Sequence, residues 1–251
     1  VGFFPEIFDE EEVMAFEIGS KNFFLERRLQ LNVAAYYYDI DNFLFNSAGL
    51  NLTGNGVSGG SNLPESEIFG LEIESVAALS DNLRLSVNLT AADSKINEGR
   101  LAVDRGKQVN VTAGLSDPDT ITATIQSIAQ DLTGNELPKL PDLVANVRLS
   151  YDREIMGSGI LTGTLSYNHR GEYFNRVFNS PERDIIPSYD LVDLNFRYRP
   201  HDANWSINFN VQNLFNGNEI SSVHTDDFFQ GVTSFQLLPP RVITLGGKYE
   251  F

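Results

Sequence analysis

A strict alternation of apolar and polar residues runs through NWSINFNVQNLFN at residues 204–216. Apolar side chains take every odd place and polar side chains every even place over eight positions: Trp205, Ser206, Ile207, Asn208, Phe209, Asn210, Val211 and Gln212. Side chains on a β-strand point to opposite faces with a period of two, so this segment predicts a strand with two different faces. In a soluble sheet the apolar face packs on a core. In an outer-membrane barrel it faces lipid, and the polar face lines the lumen.

The same period of two recurs along the whole chain of 251 residues. It predicts nine strands, at about 13–25, 29–45, 66–79, 83–96, 143–151, 159–174, 188–199, 205–215 and 241–251. A helical spacing is suggested only at 120–132, where a short helix within a loop is expected.

The connections between the predicted strands alternate in length. Short ones fall at 26–28, 80–82, 152–158 and 200–204, and long ones at 46–65, 97–142, 175–187 and 216–240. A structureless loop as long as 97–142 is uncommon inside a compact soluble domain. Short turns at one end and long loops at the other are typical of transmembrane barrels, with turns in the periplasm and loops outside the cell.

Strand composition and length favour the same architecture. The polar positions hold mainly Asn, Ser, Thr and Gln, whereas a soluble outer face is richer in Lys and Glu. Strands of about 10 residues tilted near 45° span roughly 23 Å, close to the apolar band of a barrel. Aromatic residues gather at strand ends, where interfacial girdles lie. We therefore predict an all-β fold, an antiparallel transmembrane β-barrel, with a soluble β-sandwich binding module as the alternative.

Composition excludes other classes of protein. The chain has no Cys, which excludes disulfides and thiolate metal sites. Its net charge of −16 excludes nucleic acid as a partner. No run approaches the roughly 18 apolar residues of a membrane helix. The strand count is odd, whereas bacterial single-chain barrels have an even number, and the chain starts without a signal peptide. We expect residues 1–251 to be the C-terminal part of a longer barrel protein.

Several segments, in order along nearly the whole chain, resemble those of TonB-dependent receptors. They are EVMAFEIGSKNFFLERRLQLNVAAYYYDIDNFLF (12–45), ESEIFGLEIE (65–74), GNELPKLPDLVANVRLSY (134–151), SYDLVDLNFRY (188–198), NFNVQNLFN (208–216) and PPRVITLGGKYEF (239–251). This resemblance implies an outer-membrane barrel of about 22 strands closed by an N-terminal plug. It also implies active import of a scarce ligand, driven through TonB, ExbB and ExbD. The plug and the earlier strands would lie outside this chain.

Candidate ligand-binding residues lie at the extracellular end of the predicted strands. Arg170, Tyr173, Phe174 and Arg176 lead into a long loop, and Tyr36 and Tyr38 share the polar parity of Gln30 and Asn32. Guanidinium and aromatic groups suit the anionic oxygens of a ferric siderophore, and suit an oligosaccharide as well. Alternatively, Tyr173 and Phe174 are girdle residues and Arg170 pairs with a lumen carboxylate. A passive porin or structural barrel is the remaining alternative.

The last strand ends on alternating aromatics, Tyr249 and Phe251. They resemble the C-terminal signal that the barrel-assembly machinery recognises, and they are equally suited to an aromatic girdle. The three histidines, His169, His201 and His224, form no set with Ser and Asp at a catalytic spacing, so no enzyme activity is expected. No acidic stretch has the spacing of a calcium loop, so no metal site or cofactor is expected. Outer-membrane lipid and lipopolysaccharide are the expected surroundings.

Overall fold

The computed structural model describes residues 8–50, 56–104, 114–225 and 232–251. Within these ranges nine strands form one antiparallel sheet, in which sheet order follows chain order. The nine strands are β1 (Glu12–Phe24), β2 (Leu29–Leu50), β3 (Gly56–Ala78), β4 (Leu83–Glu98), β7 (Leu143–Ile155), β8 (Gly159–Arg170), β11 (Tyr189–Pro200), β12 (Trp205–Gln212) and β15 (Val242–Tyr249). Short strands in the loops complete the numbering: β5 (Leu101–Ala102), β6 (Gln130–Asp131), β9 (Tyr173–Phe174), β10 (Ile185–Ile186), β13 (Ile220–Thr225) and β14 (Thr233–Leu237). The predicted antiparallel order of nine strands is confirmed.

The registers bring residues of one kind together across the sheet. One row is apolar over five strands: Val211, Leu194, Leu165, Leu149 and Leu85. The next row is polar over the same strands: Asn210, Asn195, Thr164, Ser150 and Arg84. The sheet therefore has one apolar and one polar face. Ile18 and Leu245, both on the apolar face, are 78% and 76% exposed, so the described chain does not cover that face there.

The two ends of the sheet differ. The connections at 25–28, 79–82, 156–158 and 201–204 are short and lie together at one end, which we call the turn end. The longer connections lie at the opposite end, the loop end. In the first turn Leu25, Glu26 and Arg27 all have a left-handed backbone, with φ of 53°, 54° and 69°, which reverses the chain within a few residues. The predicted asymmetry of the connections is confirmed.

The predicted loop at 46–65 is wrong in its extent. Strands β2 and β3 continue toward the loop end, paired in register from Phe43 and Leu63 to Leu50 and Gly56. The Gly, Ser and Asn residues of this stretch suggested a loop. Strand pairing uses backbone groups, however, and a hairpin that projects above the apolar band needs no alternation of side chains.

Other strand boundaries also shift. The strand predicted at 159–174 ends at Arg170, and β9 is a separate strand that pairs with β10. The strand predicted at 205–215 ends at Gln212, because Asn213 has a left-handed backbone with φ of 50°. At the turn end β7 runs to Ile155, which shortens the turn predicted at 152–158.

The helix expected within the longest loop is present as α1 (Pro118–Ser127). It begins two residues before the predicted start and ends before 132. Asp117 caps it, since its carboxylate accepts a hydrogen bond of 2.8 Å from the Thr120 amide, and proline suits the first helical position. Across the described residues no helix has the length and apolar content needed to cross a membrane.

A hydrophobic core lies at the loop end. Its buried members come from β2, β3, β4 and two loops: Ile40, Phe45, Leu63, Ile96, Ala102, Leu132, Leu137, Val177 and Phe178. Ile40 and Phe45 belong to opposite faces of a regular strand. Asn42 between them has a φ of 57°, which turns the strand so that both side chains reach the same core. The loops are therefore packed onto the sheet.

Candidate ligand-binding site at the loop end

Arg170 is the last residue of β8 and lies on the polar face, where it pairs with Tyr189 of β11 and Val144 of β7. Gly171 follows it at a point where the chain passes close to Asp142. A Cβ atom on Gly171 would lie 1.7 Å from Asp142 Oδ1 and 3.0 Å from the Leu143 backbone nitrogen, so a larger residue here would have to displace the Asp142 side chain. This turn places Tyr173 next to Arg170.

The Arg170 guanidinium lies over the Tyr173 ring, 4.4 Å from the ring centroid. Its Nε atom is buried, and the described residues offer that atom no hydrogen-bond partner. The predicted alternative, an ion pair with a carboxylate on the polar face, is not found among the described residues. Arg170 is thus held by a cation–π contact, with its hydrogen-bond donors uncommitted within the described chain.

Tyr173 is 5% exposed and packs with Ile186, Val223 and Ile220. Burial raises the pKa of its hydroxyl, and the Arg170 charge only partly offsets this. The phenol is therefore neutral at pH 7 and keeps its proton as a hydrogen-bond donor. Arg170 thus rests on a neutral ring, and its guanidinium is the group of this pair that is suited to bind the oxygens of an anion.

Arg176, three residues after Tyr173, is committed to two carboxylates. Its Nε donates to Asp184 Oδ1 over 2.6 Å and its Nη1 to Asp104 Oδ1 over 3.0 Å. Both carboxylates are almost completely buried. Burial lowers the pKa of Arg176, but the charges of Asp104 and Asp184 outweigh this, so the net pKa is raised and the guanidinium stays charged.

The network around Arg176 joins two loops that are distant in sequence. Arg183 also approaches Asp104, with 3.6 Å between Nη1 and Oδ2. Asp184 Oδ2 accepts a hydrogen bond of 2.9 Å from the Ser180 amide, which closes its own loop. Arg176 therefore fixes the loops, whereas Arg170 presents a charge; a ligand contact through Arg176 remains a prediction.

Tyr36 and Tyr38 lie on the polar face, as their parity predicts. Their rings stack with 5.1 Å between the centroids. Tyr36 lies over Gly70 of β3, where a Cβ atom would come within 2.1 Å of Tyr36 Cζ, and Tyr38 packs against the hydrophobic core. Four strand spacings, about 19 Å, separate β2 from β8, so the tyrosine pair is a separate location from Arg170.

The remaining predicted residues have clear positions. Phe174 pairs with Ile185, and its carbonyl accepts a hydrogen bond of 2.7 Å from the Lys139 amide, which ties two loops together. Tyr249 and Phe251 lie at the turn end with their rings in an edge contact, 5.1 Å between centroids. Neither position tests a contact with ligand or with assembly machinery.

The two carboxylates of the loop network were missed by sequence reasoning. Asp104 is 72 residues from Arg176 and lies within a segment with no strand alternation, so no local signal marks it. The histidines have simple partners: His169 contacts Asp190 at 2.8 Å and His201 contacts Glu154 at 2.6 Å. In the described ranges no three His, Asp or Glu side chains are grouped so as to hold a metal ion.

The fold and the sequence together define the class of protein. The family model described as TonB dependent receptor-like, beta-barrel matches residues 3–214, most of the chain. The chain therefore belongs to the family of TonB-dependent receptor β-barrels, which are proteins of the bacterial outer membrane and act as transporters.

Particular relatives share only part of their length with this chain. A probable TonB-dependent siderophore receptor, PiuA of Acinetobacter baumannii, is 24% identical over 212 residues, covering 83% of this chain and 24% of PiuA. The ferric yersiniabactin uptake receptor FyuA of Yersinia pestis superposes with a TM-score of 0.69 at 14% identity, covering 97% of this chain and 30% of FyuA. The copper transporter OprC superposes with a TM-score of 0.67 at 16% identity, covering 98% of this chain and 32% of OprC.

Proposed function

We propose that this chain is the C-terminal part of the barrel of an active outer-membrane importer, and that the imported ligand is a ferric siderophore. One observation carries the proposal: at the loop end Arg170 presents a guanidinium without a carboxylate partner in the described chain, stacked on the ring of Tyr173. Iron chelates expose anionic oxygens, and guanidinium binds such oxygens in a bidentate way. The similarity to PiuA, named as a probable siderophore receptor, and to FyuA, named as a ferric yersiniabactin uptake receptor, supports the proposal.

The proposed mechanism is binding followed by release, without chemistry on the ligand. The ligand is captured at the loop end, and a plug that precedes residues 1–251 rearranges when TonB, ExbB and ExbD supply energy. The chain spans about a quarter of PiuA and about 30% of FyuA, a length that leaves room for such a plug and for the remaining strands. The apolar face meets outer-membrane lipid and lipopolysaccharide.

A second candidate ligand is an oligosaccharide or another nutrient. The pair Tyr36 and Tyr38 on the polar face favours it, because a tyrosine offers a sugar both an apolar ring and a hydroxyl that forms hydrogen bonds. The two candidates use residues about 19 Å apart on the polar face, so substitutions separate them. A passive porin is the third candidate, and a gene without a plug-encoding segment would favour it over an importer.

The test measures ligand binding to the full-length protein in outer-membrane vesicles, with ferric siderophores and oligosaccharides as the panel. We expect tight binding of an iron chelate, weakened at least tenfold by Arg170→Gln. The matched control is Arg153→Gln, which removes the same charge from the apolar face of β7. Binding that is the same in both variants would contradict the role of Arg170. Binding of a sugar alone, lost in Tyr36→Ala, would replace the siderophore by the second candidate.

A further inference from the structure

Arg170 and Glu72 lie in the same row of the polar face, three strand spacings apart. The register runs from Glu72 of β3 to Thr90 of β4, then to Val144 of β7 and on to Arg170 of β8. Neighbouring strands lie about 4.8 Å apart, so about 14 Å separate the two backbone positions. In the part of the chain that the structure describes, neither side chain forms a hydrogen bond or an ion pair. One uncommitted cation and one uncommitted anion therefore share the polar face at a defined separation.

Three asparagines fill the next row toward the turn end. Asn88 of β4 pairs with Asn146 of β7, and Asn146 pairs with Asn168 of β8. Asn88 and Asn146 are exposed, and Asn168 is half-buried. Directly paired residues have Cβ atoms about 5 Å apart, and Asn168 precedes Arg170 by two residues on the same face. The three amides thus run alongside the line from Arg170 to Glu72.

The amides of this row are open to a ligand. Among the described residues no hydrogen bond is made by the side chain of Asn88, Asn146 or Asn168. Each amide offers one oxygen acceptor and two N–H donors, and it carries no charge. A neutral group that donates and accepts side by side is best matched by another amide. The row is therefore suited to the backbone amides of a peptide-like ligand.

The end of the row at β3 is suited to an ammonium group. Glu72 supplies a carboxylate, whereas Glu74, two residues along the same face, already accepts a hydrogen bond of 3.3 Å from Asn32. The Tyr36 ring lies over Gly70, which precedes Glu72 by two residues on the same face. Aromatic rings attract cations, so a carboxylate and a ring together favour a positively charged group here.

We propose that Arg170, the three asparagines and Glu72 form one binding strip for a peptide-like ligand with charged ends. Arg170 binds a carboxylate, the asparagines bind backbone amides, and Glu72 binds an ammonium group. An extended chain rises about 3.4 Å per residue, so a span of about 14 Å corresponds to about four residues. The inference rests on the proposed function and deepens it, because it names the chemistry of the imported chelate: a short peptide backbone with a charge of each sign.

The test uses tetraglycine as the probe and the full-length receptor in detergent, with saturation-transfer NMR titrations to measure the affinity. We expect Arg170→Gln and Glu72→Gln each to weaken tetraglycine binding about fivefold. Asn146→Leu keeps the size of the side chain and removes the amide, and it should also weaken binding about fivefold. Arg197→Gln is the matched control, because Arg197 lies on the polar face near the turn end, opposite Thr162, and it should change the affinity less than about twofold.

Blocking the ends of the probe assigns each contact. N-acetyl-tetraglycine lacks the ammonium group, so the unmodified receptor should bind it about fivefold more weakly than tetraglycine. Glu72→Gln should bind the two probes equally, because the partner of the ammonium group is gone. Tetraglycine amide lacks the carboxylate and should show the same pattern with Arg170→Gln.

Several outcomes overturn the strip. They are absence of tetraglycine binding to the receptor, equal effects of Arg170→Gln and Arg197→Gln, and a Glu72→Gln receptor that still discriminates against the acetylated probe. An Asn146→Leu variant that melts at a lower temperature but keeps its affinity would also overturn it, because the amide would then contact another part of the full-length protein. Siderophore binding that depends on Arg170, without tetraglycine binding, would retain the proposed function alone. Tetraglycine binding without binding of an iron chelate would retain the strip and reject the siderophore.

Discussion

Replacing Arg176 by glutamine tests the loop network most directly. The change removes the guanidinium that donates to both Asp104 and Asp184, which are 1% and 0% exposed. Removing one partner of a buried ion pair costs about 3–5 kcal/mol. Because Arg176 itself is 15% exposed, we use the lower figure of about 3 kcal/mol. A tenfold change in an equilibrium constant corresponds to about 1.4 kcal/mol, so the loop should open about 150 times more often.

Hydrogen exchange of the loop amides measures this opening in the full-length protein. The Ser180 amide donates to Asp184 Oδ2 and the Asn175 amide donates to the Asp184 carbonyl, at 2.9 Å and 2.7 Å. Both amides should exchange about 150 times faster in Arg176→Gln. Arg183→Gln is the control, because its 3.6 Å approach to Asp104 is beyond hydrogen-bond distance, and we expect less than about tenfold.

The same variant has a defined pH dependence. Burial raises the pKa of Asp184, and Arg176 is among the groups that lower it again. A carboxyl whose folded pKa is raised binds its proton more tightly when folded, so the stability it contributes falls as the pH rises through the interval between its usual and raised pKa. Removing Arg176 widens that interval upward. The loss of hydrogen-exchange protection caused by Arg176→Gln should therefore be larger at pH 7.5 than at pH 5. An equal loss at both pH values would refute the reasoning.

Substitutions at two positions and one deletion test separate features. Gly70→Val puts its Cβ 2.1 Å from Tyr36 Cζ, and we expect it to destabilise the protein by about 1–3 kcal/mol in thermal melting. Adding Tyr36→Ser should recover part of the lost stability, and a double variant as unstable as Gly70→Val would contradict the contact. Asn213→Ala should reduce the hydrogen-exchange protection of the loop amides more than Asn213→Gly does, because glycine readily keeps a φ of 50° and alanine does not. The opposite order would exclude backbone strain as the cause. Deleting Phe251 should lower the outer-membrane level of the full-length protein in fractionated cells, and an unchanged level would contradict its role as an assembly signal.

The sheet could be predicted from the sequence because its two faces meet different surroundings. Alternation such as that of Trp205 to Val211 appears wherever one face is apolar and the other polar, and its period fixes which residues share a face. The rule fails above the apolar band. There loops pack on β2 and β3 and bury Phe45 and Leu63, and the sequence from Phe43 to Leu50 does not alternate although the two strands stay paired.

The candidate site was predicted in its members but not in their roles. Arg170 and Arg176 are the same type of residue in the same loop entry, and nothing local distinguishes them. Their roles differ because Asp104, brought from 72 residues away, and Asp184 accept hydrogen bonds from Arg176 and not from Arg170. Long-range packing of loops decides such partners, and a period of two carries no information about it.

Burying two carboxylates with the guanidinium groups of Arg176 and Arg183 is not an efficient way to stabilise a loop, because the desolvation of these charges offsets most of their attraction. What the arrangement supplies is a fixed geometry. Arg176 holds the loop that carries Tyr173, and Tyr173 holds Arg170 by stacking at 4.4 Å. A ligand that reaches Arg170 therefore meets donors that are already placed, and its binding loses less free energy to ordering of the loop. On this reasoning Arg176→Gln should weaken ligand binding without any contact to the ligand, and acid should restore part of that binding as Asp184 becomes protonated.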